Sequence, residues 1–247
     1  MSARINHVAI TSDYYAMNAR FYEALFGMKT GKKTLPPARA ISLGDGYVGM
    51  THIPRRDGRT AGLDHFGIEV DDIEDTIVRM QKFDPELSAL KRPPIRPYAA
   101  FSAHDPDTNI FDLSQRNIGF QKDVYADNKG DEVQPRAISH IALRTRNAEH
   151  CAHFYAEVFG LPLLNRPSDE NYYLSDGRVT LSTGTLYGAL RRLLDEEWIE
   201  RFKEQDSSRG RQAYRLTARG RRNLQFEVGR MKHLTRLANL RIAAKEA

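Results

Sequence analysis

The sequence predicts an α+β fold: three β-rich units with one helix apiece, followed by a more helical, basic segment. Three observations predict it. A strand pattern headed by histidine occurs three times, two of the three are followed at equal distance by matching helices, and the hydrophobic period changes from two to about 3.6 near residue 183.

The strands come first. INHVAI at 5–10, LDHFGIEV at 63–70 and ISHIALRT at 138–145 share an apolar residue, any residue, a histidine and then alternating apolar positions. Fourteen residues after His7 begins FYEALFGM, and fourteen after His140 begins FYAEVFGL; both are amphipathic and end at a glycine suited to a helix C-terminus. LGDGYVGM at 43–50 then aligns with LSDGRVTL at 174–181, an Asp-Gly turn leading into a strand. The units span about 4–54, 62–116 and 137–182. A polar stretch with Gly and Pro, FQKDVYADNKGDEVQPRA, separates the second from the third and reads as a connection. The expected divisions are 1–119, a linker at 120–136, a third unit at 137–182 without a partner unit, and a final segment at 183–247.

In the final segment Leu186, Leu190, Leu193 and Leu194 fall on one helical face, with Ser182 or Thr183 as the expected cap. A hairpin-like stretch with basic residues at its tip follows. A long helix from about Ala218 then carries Leu224, Val228, Met231, Leu234 and Leu237 as an apolar stripe. Residues 183–247 hold 15 Lys/Arg against 8 Asp/Glu, whereas residues 1–182 hold 22 against 24. A localised positive excess fits either a polyanion partner or a solvated basic face. The 247-residue chain has no apolar run long enough to span a membrane and no apolar leader, so a cytoplasmic location without a membrane partner is expected. Its one cysteine, Cys151, excludes an intramolecular disulfide and is read as helix packing.

The order of elements, with histidine on the first strand and HDPDTNIFDLS at 104–114 on the last, resembles the vicinal oxygen chelate superfamily of glyoxalases, bleomycin-resistance proteins and extradiol dioxygenases. The resemblance implies three βαβββ modules, the first two paired into a cupped sheet around a divalent metal. It implies His7 and His65 as first-strand ligands and Asp112, where the family usually has Glu, as the last-strand ligand. Two imidazoles and a carboxylate leave positions open for substrate and favour Fe(II) or Mn(II). The matching last-strand position of the first module is read as close to Gly49, which offers no ligand, so three protein ligands and a dioxygenase-like site are expected over a four-ligand, glyoxalase-like one. His52 is an alternative ligand if its side chain shares that face. His104 and Tyr98 are candidate acid, base or hydrogen-bonding groups toward a small vicinal-oxygen substrate, and turn-side polar residues otherwise. Tyr47, Tyr98 and Phe101 either line an apolar pocket or pack the sheets. His140 is read as structural, and His150 with His153 as an exposed helix face. The bland alternative for His7 and His65 is a pair of hydrogen-bonded strand residues.

GTLYGALRRLLDEEWIE, the basic hairpin and YRLTARGRRNL resemble the latter part of a PadR-type winged-helix regulator, whose two N-terminal helices have no counterpart here. That resemblance implies Thr185, Tyr187 and Arg191 facing the major groove of DNA and Arg209 and Arg211 meeting phosphates. A DNA-binding regulator with a ligand-sensing part, and a chimeric chain without catalysis, are the alternatives to a metalloenzyme. A homodimer is expected because the third module and the striped helix have no evident partners within the chain.

Overall fold

The computed structural model describes residues 3–30, 40–93, 99–116, 137–164, 171–202 and 213–246; Tyr98, Arg209, Arg211 and the expected linker lie outside them. The first stretch runs β1 (Arg4–Ser12), α1 (Tyr15–Phe26), β2 (Lys29–Thr30), β3 (Ile41–Gly44) and β4 (Gly49–Pro54). The second runs β5 (Gly62–Val70), α2 (Ile73–Phe83), β6 (Leu90–Lys91), β7 (Phe101–His104) and β8 (Ile110–Gln115). The third runs β9 (His140–Arg144), α3 (Ala148–Phe159), β10 (Leu163–Leu164), β11 (Tyr172–Ser175) and β12 (Thr180–Gly184). Then come α4 (Leu186–Asp195), the hairpin β13 (Ile199–Phe202) and β14 (Ala213–Leu216), and α5 (Ala218–Glu246). Local chemistry sets the helix ends. Gly27 and Gly160 take the left-handed conformation after α1 and α3, while Asp72 and Asn147 cap α2 and α3 with their side-chain oxygens.

Strands β1 to β8 form one sheet in the order β2-β3-β4-β1-β5-β8-β7-β6. Its centre is the antiparallel pair β1–β5, flanked by the parallel pairs β1–β4 and β5–β8, so the two histidine-headed strands lie side by side. The third stretch forms its own sheet, β10-β11-β12-β9.

The third stretch was expected to lack cover within the chain, and it does not. Helix α3 lays Phe154, Tyr155 and Phe159 against Phe66 and Phe111 of the large sheet, with ring centroids 5.5 to 6.4 Å apart, and all five are buried. Burial of such side chains contributes about 1.5–3 kcal/mol each, enough to join the third stretch to the same core. The Asp-Gly turns add a reciprocal link. Asp45 Oδ1 accepts from the N–H groups of Tyr47 and Val48, and Asp176 Oδ1 does the same for Arg178 and Val179. The second oxygen of each reaches across: Asp45 Oδ2 accepts from Ile138 N at 2.7 Å, and Asp176 Oδ2 from Ile5 N at 2.8 Å. Each turn thus caps the opening strand of the other repeat. Tyr47 sits at this junction beside the guanidinium groups of Arg4 and Arg178, its hydroxyl donating to Asp176, so it packs where the two sheets meet.

Two further expectations change. Thr185 caps α4, accepting from Gly188 N at 2.9 Å, whereas Ser182 and Thr183 are buried in β12; strand and helix are one residue apart. The striped helix also finds a partner. The C-terminal half of α5 packs on α1, with Ala238 buried and Arg241 donating to the carbonyls of Ala24 and Leu25 at 3.1 Å. Leu224, Val228 and Met231 in its first half stay exposed. Among the described residues no helix is long and apolar enough to cross a membrane.

Candidate metal centre

The centre lies on the β1–β5 seam, where the pairing slips twice. Register passes from Ile5↔Ile68 to His7↔Gly67, leaving Asn6 as an extra residue in β1, and from Ala9↔His65 to Ile10↔Leu63, leaving Asp64 as an extra residue in β5. A bulge breaks the strict alternation of faces and re-aims side chains. Here it sets a polar residue beside each histidine. Asn6 Oδ1 lies 2.8 Å from His7 Nδ1, and Asp64 Oδ2 lies 2.7 Å from His65 Nδ1. With Nδ1 donating to an oxygen, Nε2 is the nitrogen of each ring that carries the lone pair.

Both Nε2 atoms converge on Asp112, which β8 holds opposite Gly67 in β5. His65 Nε2 is 3.4 Å and His7 Nε2 3.9 Å from Asp112 Oδ2, and the three donor atoms lie within 4.8 Å of one another. Ligand bonds of about 2.0–2.2 Å at right angles place donor atoms about 3 Å apart, so the set is nearly closed around one ion. The other oxygen of Asp112 accepts from Ser102 Oγ, which itself accepts from Arg92 Nε at 2.6 Å. Burial, and then the neighbouring His65, hold the His7 pKa well below its ordinary 6.5, so this ring stays neutral, as a metal ligand must. Gly67 leaves the room for it, since the His7 ring and Asn6 occupy the space a side chain there would fill.

The register corrects the fourth position. Asp112 stands opposite the residue two beyond His65; in the first stretch Ala9, two beyond His7, stands opposite Thr51, whereas Gly49 faces His7 itself. Thr51 Oγ1 is 3.2 Å from Ser42 Oγ. His52 points to the opposite face against Tyr22 of α1, with ring centroids 5.4 Å apart, and does not join the triad. Its burial lowers its pKa to about 4.

His104 shares the face of Ser102 and Asp112 one residue pair along β7 and β8, and its Nδ1 donates to Asp105 O at 2.9 Å, leaving Nε2 as an acceptor. Phe101 pairs with Leu113 and so lies on the opposite, core side of the sheet. In the third stretch Ser182 takes the register position of Asp112 and its Oγ lies 2.9 Å from His140 Nε2, so no carboxylate stands there. Cys151 is buried. His153 faces solvent near Glu157, and His150 rests on Phe83. Of the DNA-facing candidates, Thr185 is engaged as the α4 cap, while Tyr187 and Arg191 are exposed. Sequence reading missed Asn6, Asp64, Ser102 and Arg92; the Asn-His and Asp-His pairs were the available signal for the first two.

Residues 4–113 match the Glyoxalase/Bleomycin resistance protein/Dioxygenase superfamily, and residues 169–226 match the Transcriptional regulator PadR-like family. The PadR-like match begins inside the third stretch, so part of it is built here as strands β11 and β12. No curated protein sequence matches the chain. In fold it is similar to the 2,3-dioxygenase LapB from Pseudomonas sp. KL28, with a TM-score of 0.54 and 14% identity over 81% of this chain and 82% of that one. It is also similar to a Mn(II)-bound glyoxalase from Novosphingobium aromaticivorans, with a TM-score of 0.52 and 18% identity over 73% and 62%. A xylose isomerase-like TIM barrel/4-hydroxyphenylpyruvate dioxygenase fusion protein is matched with a TM-score of 0.53 and 14% identity over 74% of this chain, which spans only 32% of that one.

Proposed function

We propose that this chain, which joins a glyoxalase/bleomycin resistance protein/dioxygenase superfamily domain at residues 4–113 to a PadR-like segment at 169–226, is a metalloenzyme of extradiol-dioxygenase type. It binds one divalent ion, Fe(II) or Mn(II), through His7, His65 and Asp112, and takes a small substrate with vicinal oxygens. The observation that carries this reading is the convergence of two imidazole nitrogens and one carboxylate oxygen on one point, with a threonine at the fourth register position. A divalent ion on such a set supplies Lewis acidity and adjacent open positions.

The chain's own groups do the rest. Asn6 and Asp64 hold the ligand rings, and Ser102 keeps one oxygen of Asp112 turned away from the centre. His104, with Nδ1 tied to a carbonyl, offers Nε2 to accept a substrate proton and return it. In this reading residues 1–119 are the catalytic pair of modules, 137–182 a third module that buttresses it, and 183–247 a partial winged helix. Metal analysis after anaerobic loading with Fe(II) or Mn(II) tests it: one ion per chain is expected, lost in His65→Ala, and no ion at any loading sinks it.

The exposed Tyr187 and Arg191 on a PadR-like helix support a second activity, DNA contact. The residues before α4 are strand rather than the helix that crosses the DNA backbone in such folds, which favours weak, charge-driven binding. Binding that persists at about 150 mM salt would instead indicate a specific site.

A further inference from the structure

We propose that Arg92 makes this site selective for substrates that carry a carboxylate beside their vicinal oxygens; the inference rests on the metal-dependent reading above. Arg92 follows the edge strand β6. Leu90 pairs with Ser102 in β7, and Arg92 N donates to Ala100 O at 2.8 Å, so Leu90, Arg92, Ser102 and Asp112 share one face of the sheet, the face of His65 and His7. The partly buried guanidinium leans inward over that face and is anchored at one atom, Nε, which donates to Ser102 Oγ at 2.6 Å.

That is the only side-chain hydrogen bond of Arg92 among the described residues, and no carboxylate pairs with it there. Among the described residues, four of its five N–H donors are thus left to meet a ligand. A planar guanidinium fixed at Nε presents its Nη groups as a two-pronged edge that matches a carboxylate. Summing ordinary hydrogen-bond lengths, the span of the Asp112 carboxylate and a ligand bond, its Nε stands no more than about 9 Å from the ion position. A carboxylate on the same aromatic ring as two chelating oxygens falls within that reach. On the opposite side of the seam the same face presents the hydroxyls of Ser42 and Thr51, which carry no charge.

The test uses Mn(II)-loaded full-length protein, with catechol and with 2,3- and 3,4-dihydroxybenzoate as probes in calorimetric titration. At least one carboxylated probe is expected to bind about tenfold tighter than catechol. In Arg92→Gln, whose amide can still donate to Ser102, the carboxylated probe loses more affinity than catechol and the preference falls to within about twofold; Arg92→Lys keeps part of it. Equal affinities in the wild type, a preference that survives in Arg92→Gln, or an equal loss for all three probes overturns the proposal, the last marking Arg92 as a support for Ser102 alone. Absence of bound Mn(II) in the wild type overturns the metal reading itself and this inference with it.

Discussion

Gly67 and His7 share a space that only one side chain can fill: a Cβ built on Gly67 falls 2.0 Å from His7 Nδ1. Gly67→Ala must therefore push the ring off its Asn6 partner. The expected result is at least a tenfold loss of Mn(II) affinity in equilibrium dialysis, with destabilisation of about 1–3 kcal/mol in urea unfolding. An alanine variant with wild-type metal affinity would show that the ring has another place to go.

The two bulges predict graded metal binding. Asp64→Asn replaces an anionic acceptor of the His65 Nδ1 proton by a neutral one, as Asn6 already is for His7, and should weaken Mn(II) binding by about tenfold. Asp64→Ala removes the acceptor and should cost up to about a hundredfold. Electron paramagnetic resonance of free Mn(II) reads both. Equal affinities for the three proteins would separate Asp64 from the metal.

His52 predicts a loss of stability in acid. Its folded pKa of about 4 lies below its ordinary 6.5, so as pH falls below 6.5 the unfolded chain gains a proton that the folded chain cannot take up. Its contribution is intact above pH 6.5, declines between 6.5 and about 4, and is constant below. At pH 5 the penalty is about 2 kcal/mol. Urea unfolding at pH 7 and pH 5 should show His52→Leu losing that much less than wild type; parallel losses would mean that the ring is charged when folded.

Asp176 gathers four donors: the N–H groups of Ile5, Arg178 and Val179 and the Tyr47 hydroxyl. Its removal leaves Ile5 N, in a buried strand, without this acceptor. Asp176→Ala should lower stability by about 3 kcal/mol, with Asp45→Ala close behind because Ile138 N loses its counterpart acceptor. Thermal unfolding checks both; a shift for Asp45 alone would deny the reciprocity.

Leu224, Val228 and Met231 form an exposed stripe on the first half of α5, the apolar face left over once its second half docks on α1. A homodimer through this stripe is expected in light scattering at micromolar concentration, with Leu224→Glu combined with Met231→Glu giving a monomer. A monomeric wild type rejects the dimer.

The three residues whose donor atoms converge were legible as candidates because His7 and His65 stand at a repeated strand position and Asp112 lies in a stretch, NIFD, that resembles a family motif. What surrounds them was not. A bulge adds one residue to a strand without changing composition, so the partnership of Asn6 with His7 has no period to reveal it. The sequence pattern sets Gly49 as the counterpart of Asp112, two residues away from Thr51, a difference that only the pairing of β4 with β1 reveals. The cap on α4 fell to Thr185 because β12 extends through Thr183, the strand ladder overriding local helix propensity. The docking of α5 depends on Arg241 meeting carbonyls 216 and 217 residues earlier, a relation that no local pattern carries.

The bond from Ile5 to Asp176 spans 171 residues, and it has a consequence for the order in which the protein is made. Synthesis proceeds from the N-terminus and early domains tend to fold first, yet here the opening strand emerges from the ribosome long before its acceptor exists. Contacts this distant in the chain slow folding. Docking of the third repeat on the large sheet is thus expected as the last step, and a nascent chain halted after β8 should leave the face of Phe66 and Phe111 uncovered.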